Sequence, residues 1–98
     1  MSKITDFAEG KPCTARIPGI CNFDPSTSVW AHLRKVRFGA GTRLKPPDLI
    51  GLIACSNCHD VIDGRKNARL DSQEIMICAY EGHCESLILL EKEGIIKT

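Results

Sequence analysis

Two short apolar runs and two helical patterns divide the chain. Ser28-Val-Trp-Ala-His-Leu33 is rich in β-branched and aromatic residues and reads as a strand. Leu49-Ile-Gly-Leu-Ile-Ala-Cys55 is a continuous apolar run, read as a second buried strand or turn. Cys13-Thr-Ala-Arg-Ile17 has strand character too, and Pro18-Gly19 closes it with a turn. A short helix is predicted from Cys58 to about Lys66, and a longer one from Asp71 to about Lys92. Asp71 and Glu74 have the capping-box spacing. Met76, Tyr80, Cys84, Leu87 and Ile88 form an apolar stripe at helical spacing, and Gly94 is placed to stop the helix. Residues 1–12 read as a polar arm with a helical turn at Ile4 to Ala8. The stretch from Arg34 to Pro47 carries Gly39, Gly41 and two prolines, so it reads as a long irregular loop. Such loops in compact domains are often functional.

Composition narrows the class. A chain of 98 residues makes one domain, 1–98, with a modest core that a metal staple would strengthen. Its parts are the arm (1–12), a central unit (13–66) and the C-terminal helix (71–93). The longest apolar run is far too short to cross a bilayer, and the start lacks a hydrophobic signal core. A cytoplasmic protein with no membrane partner is the expectation. The net charge of +1 argues little about partners, but its distribution does. Arg34, Lys35, Arg37, Arg43 and Lys45 fall in the loop with no acid among them. That arrangement fits local contact with nucleic-acid phosphates.

Six cysteines are many for so short a chain, and in a reducing compartment they are poor disulfide candidates. Cys55-Ser-Asn-Cys58 is a C-x2-C pair, able to grip one Zn²⁺ across a tight turn. Cys13 and Cys21 flank the Pro18-Gly19 turn, which can bring them together. The full pattern is C-x7-C, a gap of 33 residues, then C-x2-C. A four-thiolate structural zinc site is the reading, against burial of Cys13 and Cys21 as plain thiols. Cys78 and Cys84 lie on different faces of the long helix and read as core thiols, with His83 at the surface.

His59 follows the C-x2-C directly. With Asp63 at i+4 on one helix face, the two suit joint binding of a divalent cation. His32 ends the first strand, just before the basic loop, where a neutral imidazole can take a proton from water. Each has a blander alternative: a structural strand-end histidine for His32, a surface acid paired with Arg65 or Lys66 for Asp63.

The order Ala31-His32, Asp48-Leu49 and Ile53-Ala-Cys-Ser-Asn-Cys-His59 resembles the HNH endonuclease pattern in its zinc-containing form. Five blocks in order resemble the YbcO-like nucleases of prophages more closely. They are Cys-x-x-Arg-Ile-Pro-Gly-Ile-Cys-Asn (13–22), Ala-His-Leu-Arg (31–34), Lys-Pro-Pro-Asp-Leu-Ile (45–50), Ile-Ala-Cys-Ser-Asn-Cys-His-Asp-Val-Ile-Asp (53–63) and Glu-Gly-Ile-Ile-Lys (93–97). The resemblance implies an α+β fold: a ββα-metal core, a zinc knuckle of Cys13, Cys21, Cys55 and Cys58, and a longer C-terminal helix. It implies His32 as general base, and His59 and Asp63 as ligands of Mg²⁺ or another divalent cation. Asp48 would match the central Asn-type residue that braces the loop and orients the base. The family's relation to the phage recombination-enhancement nuclease Ref suggests a recombinase partner, by analogy alone. One departure is Ala31, where many HNH enzymes carry Asp or His as a further ligand.

These readings lead to a metal-dependent endonuclease acting on DNA with little sequence preference, in a phage or prophage recombination setting. The rival is a non-catalytic zinc module that binds nucleic acid or protein. A c-type haem protein shares the Cys-x-x-Cys-His spelling, but needs export and leaves Cys13 and Cys21 unexplained. A thioredoxin-like pair would need a βαβ context that the chain lacks. Monomer and homodimer both stay open.

Overall fold

The computed structural model describes residues 3–33, 47–64 and 70–96. In chain order the elements are α1 (Lys3–Phe7), a 3-10 turn (Pro25–Thr27), β1 (Val29–His32), β2 (Gly51–Ala54), α2 (Ser56–Ile62) and α3 (Ser72–Lys92). The architecture is α+β, with helices packed on a two-stranded antiparallel sheet.

The sheet register is Val29↔Ala54, Trp30↔Ile53, Ala31↔Leu52 and His32↔Gly51. Side chains alternate faces along a strand, and here both faces are covered. Ala31, Leu52 and Ala54 join Cys13, Ile17, Cys55, Cys58 and Val61 in one cluster. Trp30 and Ile53 join Ala8 and Leu90 in the other. That is why β2 is buried at all four positions and shows no polar alternation in sequence. The N-terminal segment expected as a polar arm is docked through Ala8, which is fully buried beside Trp30.

The strand expected over residues 13–17 does not form. Arg16 turns into the left-handed region at φ 46°, which breaks any extended run. What survives is one point of attachment: Thr14 N–H donates to Ile53 O at 2.8 Å, and Thr14 Oγ1 donates to the same carbonyl at 2.7 Å. Two side chains of α3 complete this edge of β2. Ser86 Oγ accepts from Ile53 N–H at 3.0 Å, and His83 Nδ1 donates to Gly51 O at 2.6 Å. An open strand edge would leave these backbone groups unpaired.

Asp71 caps α3, accepting the Glu74 N–H at 2.8 Å, and Gly94 ends it at φ 75°. The buried face of α3 is Ala79, Gly82, Ser86 and Leu90. The apolar stripe predicted from the sequence is not this face: Met76, Tyr80 and Ile88 are exposed. Close approach decided between them. A Cβ at Gly82 would lie 2.7 Å from Leu52 Cδ1 and 3.0 Å from Thr14 Oγ1, so only small residues fit against β2. Cys78, expected in the core, is half-buried and packs against the first cluster; Cys84, also expected there, is half-buried too, and so is His83, expected at the surface.

The short helix α2 begins two residues earlier than predicted. Cys55 is its N-cap, its sulfur accepting the Cys58 N–H. It also ends earlier, with Asp63 as C-cap and Gly64 at φ 80°; residues 65–69 lie outside the described set.

Replacing Ser86 by Ala leaves the buried Ile53 N–H without its acceptor. The expected cost is about 1–3 kcal/mol of folding stability. Urea titration of both proteins at matched, saturating zinc measures it; an unchanged midpoint would contradict the edge role of Ser86.

Candidate functional site

Cys13 and Cys21 come from the N-terminal segment, Cys55 and Cys58 from the start of α2. Their sulfurs all lie within 4.8 Å of one another, in a group that can hold a metal ion. The Cys21–Cys55 separation is 3.8 Å. Tetrahedral zinc with Zn–S near 2.3 Å sets neighbouring sulfurs about 3.8 Å apart, whereas a disulfide would need roughly 2 Å. The donor set is therefore right in chemistry and spacing for zinc.

Thiol ionisation makes the same point. Cys13 is lowered to about 4, chiefly by the hydrogen bond from the Cys58 thiol, with backbone donors adding to it and burial opposing. Cys58 moves far above the usual thiol range because Cys13 holds its proton in place, and burial adds to the shift. Cys21 is pushed up to about 11, mainly by burial. Several thiolates cannot crowd together in a partly buried pocket unless a cation balances them.

Hydrogen bonds tie this cluster to its surroundings. Asn57 Nδ2 donates to Ile20 O at 3.1 Å, and Asn22 Nδ2 donates to Ser56 Oγ at 3.3 Å. Arg16 forms a bidentate pair with Glu85 at 2.9 and 2.7 Å, tying the knuckle to α3. The start of α2 is thus bonded to the cysteine-bearing segment, and that segment to α3.

His59 stands one turn into α2, and Asp63 closes it. His59 Nε2 lies 3.1 Å from Asp63 Oδ2. Ligand atoms at neighbouring corners of an octahedral ion with bonds near 2.1 Å are roughly 3 Å apart, so the two fit one cation. Among the described residues, no third His, Cys, Asp or Glu completes a group with them. The same distance also serves an ordinary i,i+4 ion pair.

His32 is at the end of β1, with 8% of its surface exposed. Its Nε2 lies 3.1 Å from Asp48 Oδ1. Asp48 sits in the turn before β2, where Ile50 N–H donates to Pro47 O at 2.9 Å. Its backbone carbonyl accepts from Trp30 Nε1 at 2.6 Å. A carboxylate only accepts, so His32 carries its proton on Nε2 and turns its Nδ1 lone pair the other way. Gly51 makes this arrangement fit: a Cβ there would lie 2.5 Å from Trp30 Nε1.

The structure therefore pairs His32 with Asp48 and His59 with Asp63, and α2 packs on both strands. Arg34, Lys35, Arg37, Arg43 and Lys45 lie outside the described residues. Trp30 and Gly51 join the site without any signal in the sequence. No local pattern announces an indole that reaches a carbonyl 18 positions on.

Comparison with known proteins gives the chain a family. Residues 2–95 match the family model described as "Putative nuclease YbcO". The chain is 46% identical over 97 residues to the proteins of that name from Escherichia coli K12 and Enterobacteria phage 82, covering 99% of each. It also resembles a solved bacteriophage protein from Escherichia coli K-12 MG1655, with TM-score 0.77, 46% identity, and coverage of 92% of this chain and 98% of that one. With nearly its whole length matched, the chain belongs to the "Putative nuclease YbcO" family.

Proposed function

We propose that this protein is an HNH-type, metal-dependent endonuclease that hydrolyses phosphodiester bonds in DNA. The observation that carries this reading is the double pairing: an imidazole–carboxylate pair at the end of β1, and a second on the helix packed against it. A nuclease uses both at once, one to activate water and the other to hold a cation. The family name supports nuclease chemistry at the coarse level.

His32 serves as the general base. Its Nδ1 takes the proton of the attacking water, since Nε2–H is committed to Asp48. The Asp48 carboxylate fixes the ring and lies where positive charge develops as the proton arrives. Trp30 and the turn over residues 47–50 keep Asp48 in place. His59 and Asp63 would hold Mg²⁺ or another divalent cation, whose Lewis acidity offsets the charge building on the phosphate. Cys13, Cys21, Cys55 and Cys58 would hold structural Zn²⁺ and so aim α2, with no part in the chemistry. The acid-free run of Arg34, Lys35, Arg37, Arg43 and Lys45 supplies phosphate contacts. Phosphates carry no base identity, which accounts for weak sequence preference. A relative from a phage supports a phage or prophage setting.

Supercoiled plasmid in Mg²⁺ or Mn²⁺ should be nicked by the wild type. His32→Ala should nick about 10²–10⁴-fold more slowly. Equal rates would remove His32 from the mechanism, and absence of nicking by the wild type would favour a non-catalytic zinc module.

Native mass spectrometry should find one zinc per chain. Chelation, or Cys55→Ser with Cys58→Ser, should abolish both the zinc and the cooperative thermal transition. A zinc-free chain with an unaltered transition would overturn the structural site.

Duplex DNA binding should weaken steeply with salt. Neutralising Arg34 and Lys35 together should reduce the log–log slope by about 0.9 for each phosphate no longer neutralised. A slope that does not change would place the phosphate-binding surface elsewhere.

A further inference from the structure

We propose that His83, on α3, is a positioning residue for the His32–Asp48 pair; the proposal rests on the nuclease reading above. Three observations carry it. His83 Nδ1 donates to Gly51 O at 2.6 Å, across 32 positions of sequence. Gly51 stands directly opposite His32 in the sheet, and its own N–H is turned back to Leu49 O at 3.1 Å. The Trp30 indole crosses Gly51 so closely that a Cβ would collide with it, and it reaches Asp48 O on the far side.

These interactions form one continuous path. It runs from His83 to Gly51, across the indole to the Asp48 backbone, and back through the Asp48 carboxylate to His32 Nε2. Gly51 is the floor of the path. It has no side chain and its N–H is held within its own turn, so its carbonyl is the group that ties it to α3. His83 is the anchor, and Ser86, one turn further along α3, does the same for Ile53. A shift of the Gly51 backbone moves the indole, the Asp48 turn and the general base together. Misplacement of a reacting group by about 1 Å costs roughly 10²-fold in rate.

The tautomer follows from the partner. A carbonyl only accepts, so the His83 proton is on Nδ1. Asparagine at 83 can present an amide N–H in nearly the same place, and leucine cannot. This separates positioning from simple filling of space, because leucine fills it and asparagine restores the bond.

The experiment combines steady-state nicking with ¹⁵N NMR of the imidazoles, on zinc-loaded full-length protein. His83→Leu should lower kcat by about 10- to 100-fold with KM and zinc content unchanged. It should also shift the His32 Nε2 resonance that reports the Asp48 bond. His83→Asn should return kcat to within about threefold of wild type, and return the His32 resonance with it. A wild-type kcat and His32 resonance in His83→Leu would overturn the proposal, as would failure of His83→Asn to restore either. Should His83→Leu fail to fold, the wild type still decides: His83 found with its proton on Nε2 rather than Nδ1 overturns the anchor. A wild type that does not nick sinks the nuclease reading, and the proposal then stands or falls on the His32 resonance in the two variants.

Discussion

Four sulfurs held within 4.8 Å are the constraint on which the rest of this small fold depends. Two come from a segment with no regular structure, and two from the first turn of a seven-residue helix. Both pieces feed one core cluster, Cys13, Ala15 and Ile17 from the first and Cys55, Cys58 and Val61 from the second. Isolated helices of that length are unstable in water. Thiols packed this closely also frustrate one another's ionisation, as the opposite displacements of Cys13 and Cys58 show. A divalent cation bound there would resolve that conflict and crosslink residues far apart in sequence. It would join the loop from Cys13 to Cys21 to the entry of α2.

A second constraint is the outer edge of β2. In a larger sheet a third strand would cover it. Here Thr14, Ser86 and His83 take the place of that strand, each bonded to a backbone group of β2. Gly82 lets α3 come close enough for these bonds. The arrangement explains why the long helix turns Ala79, Gly82 and Ser86 toward β2 and leaves Met76, Tyr80 and Ile88 outside. It also links α3, remote in sequence from both imidazole–carboxylate pairs, to the end of the sheet where His32 stands.

Fold and proposed chemistry meet at the two ends of the sheet. One end leads through Cys55 into α2, so the thiol cluster governs the orientation of His59 and Asp63. The other carries His32 and the turn with Asp48, locked by Trp30 over Gly51. Each imidazole has a carboxylate partner about 3 Å away. Such pairing sets the ring orientation before any substrate arrives, and a preorganised site spends nothing on reorganisation during reaction.

Much of this was legible in the linear sequence. The C-x2-C pair, the cap at Asp71 and the two strands are local patterns, and local sterics and spacing suffice to produce them. His59 and Asp63 share a face because an α-helix repeats every 3.6 residues. The four-cysteine cluster was read correctly from its spacing, but several other features that depend on how closely two elements approach were misjudged. The strand expected over residues 13–17 gave way to a turn at Arg16. The inner face of α3 fell to Ala79, Gly82, Ser86 and Leu90 rather than to the stripe with Met76, Tyr80 and Ile88. His83 became an edge partner of the sheet, and Trp30 and Gly51 became the support of Asp48. Periodicity records which residues share a face, but not which face another element can reach. That choice depends on side-chain volume where the elements meet, and only the assembled tertiary structure decides it.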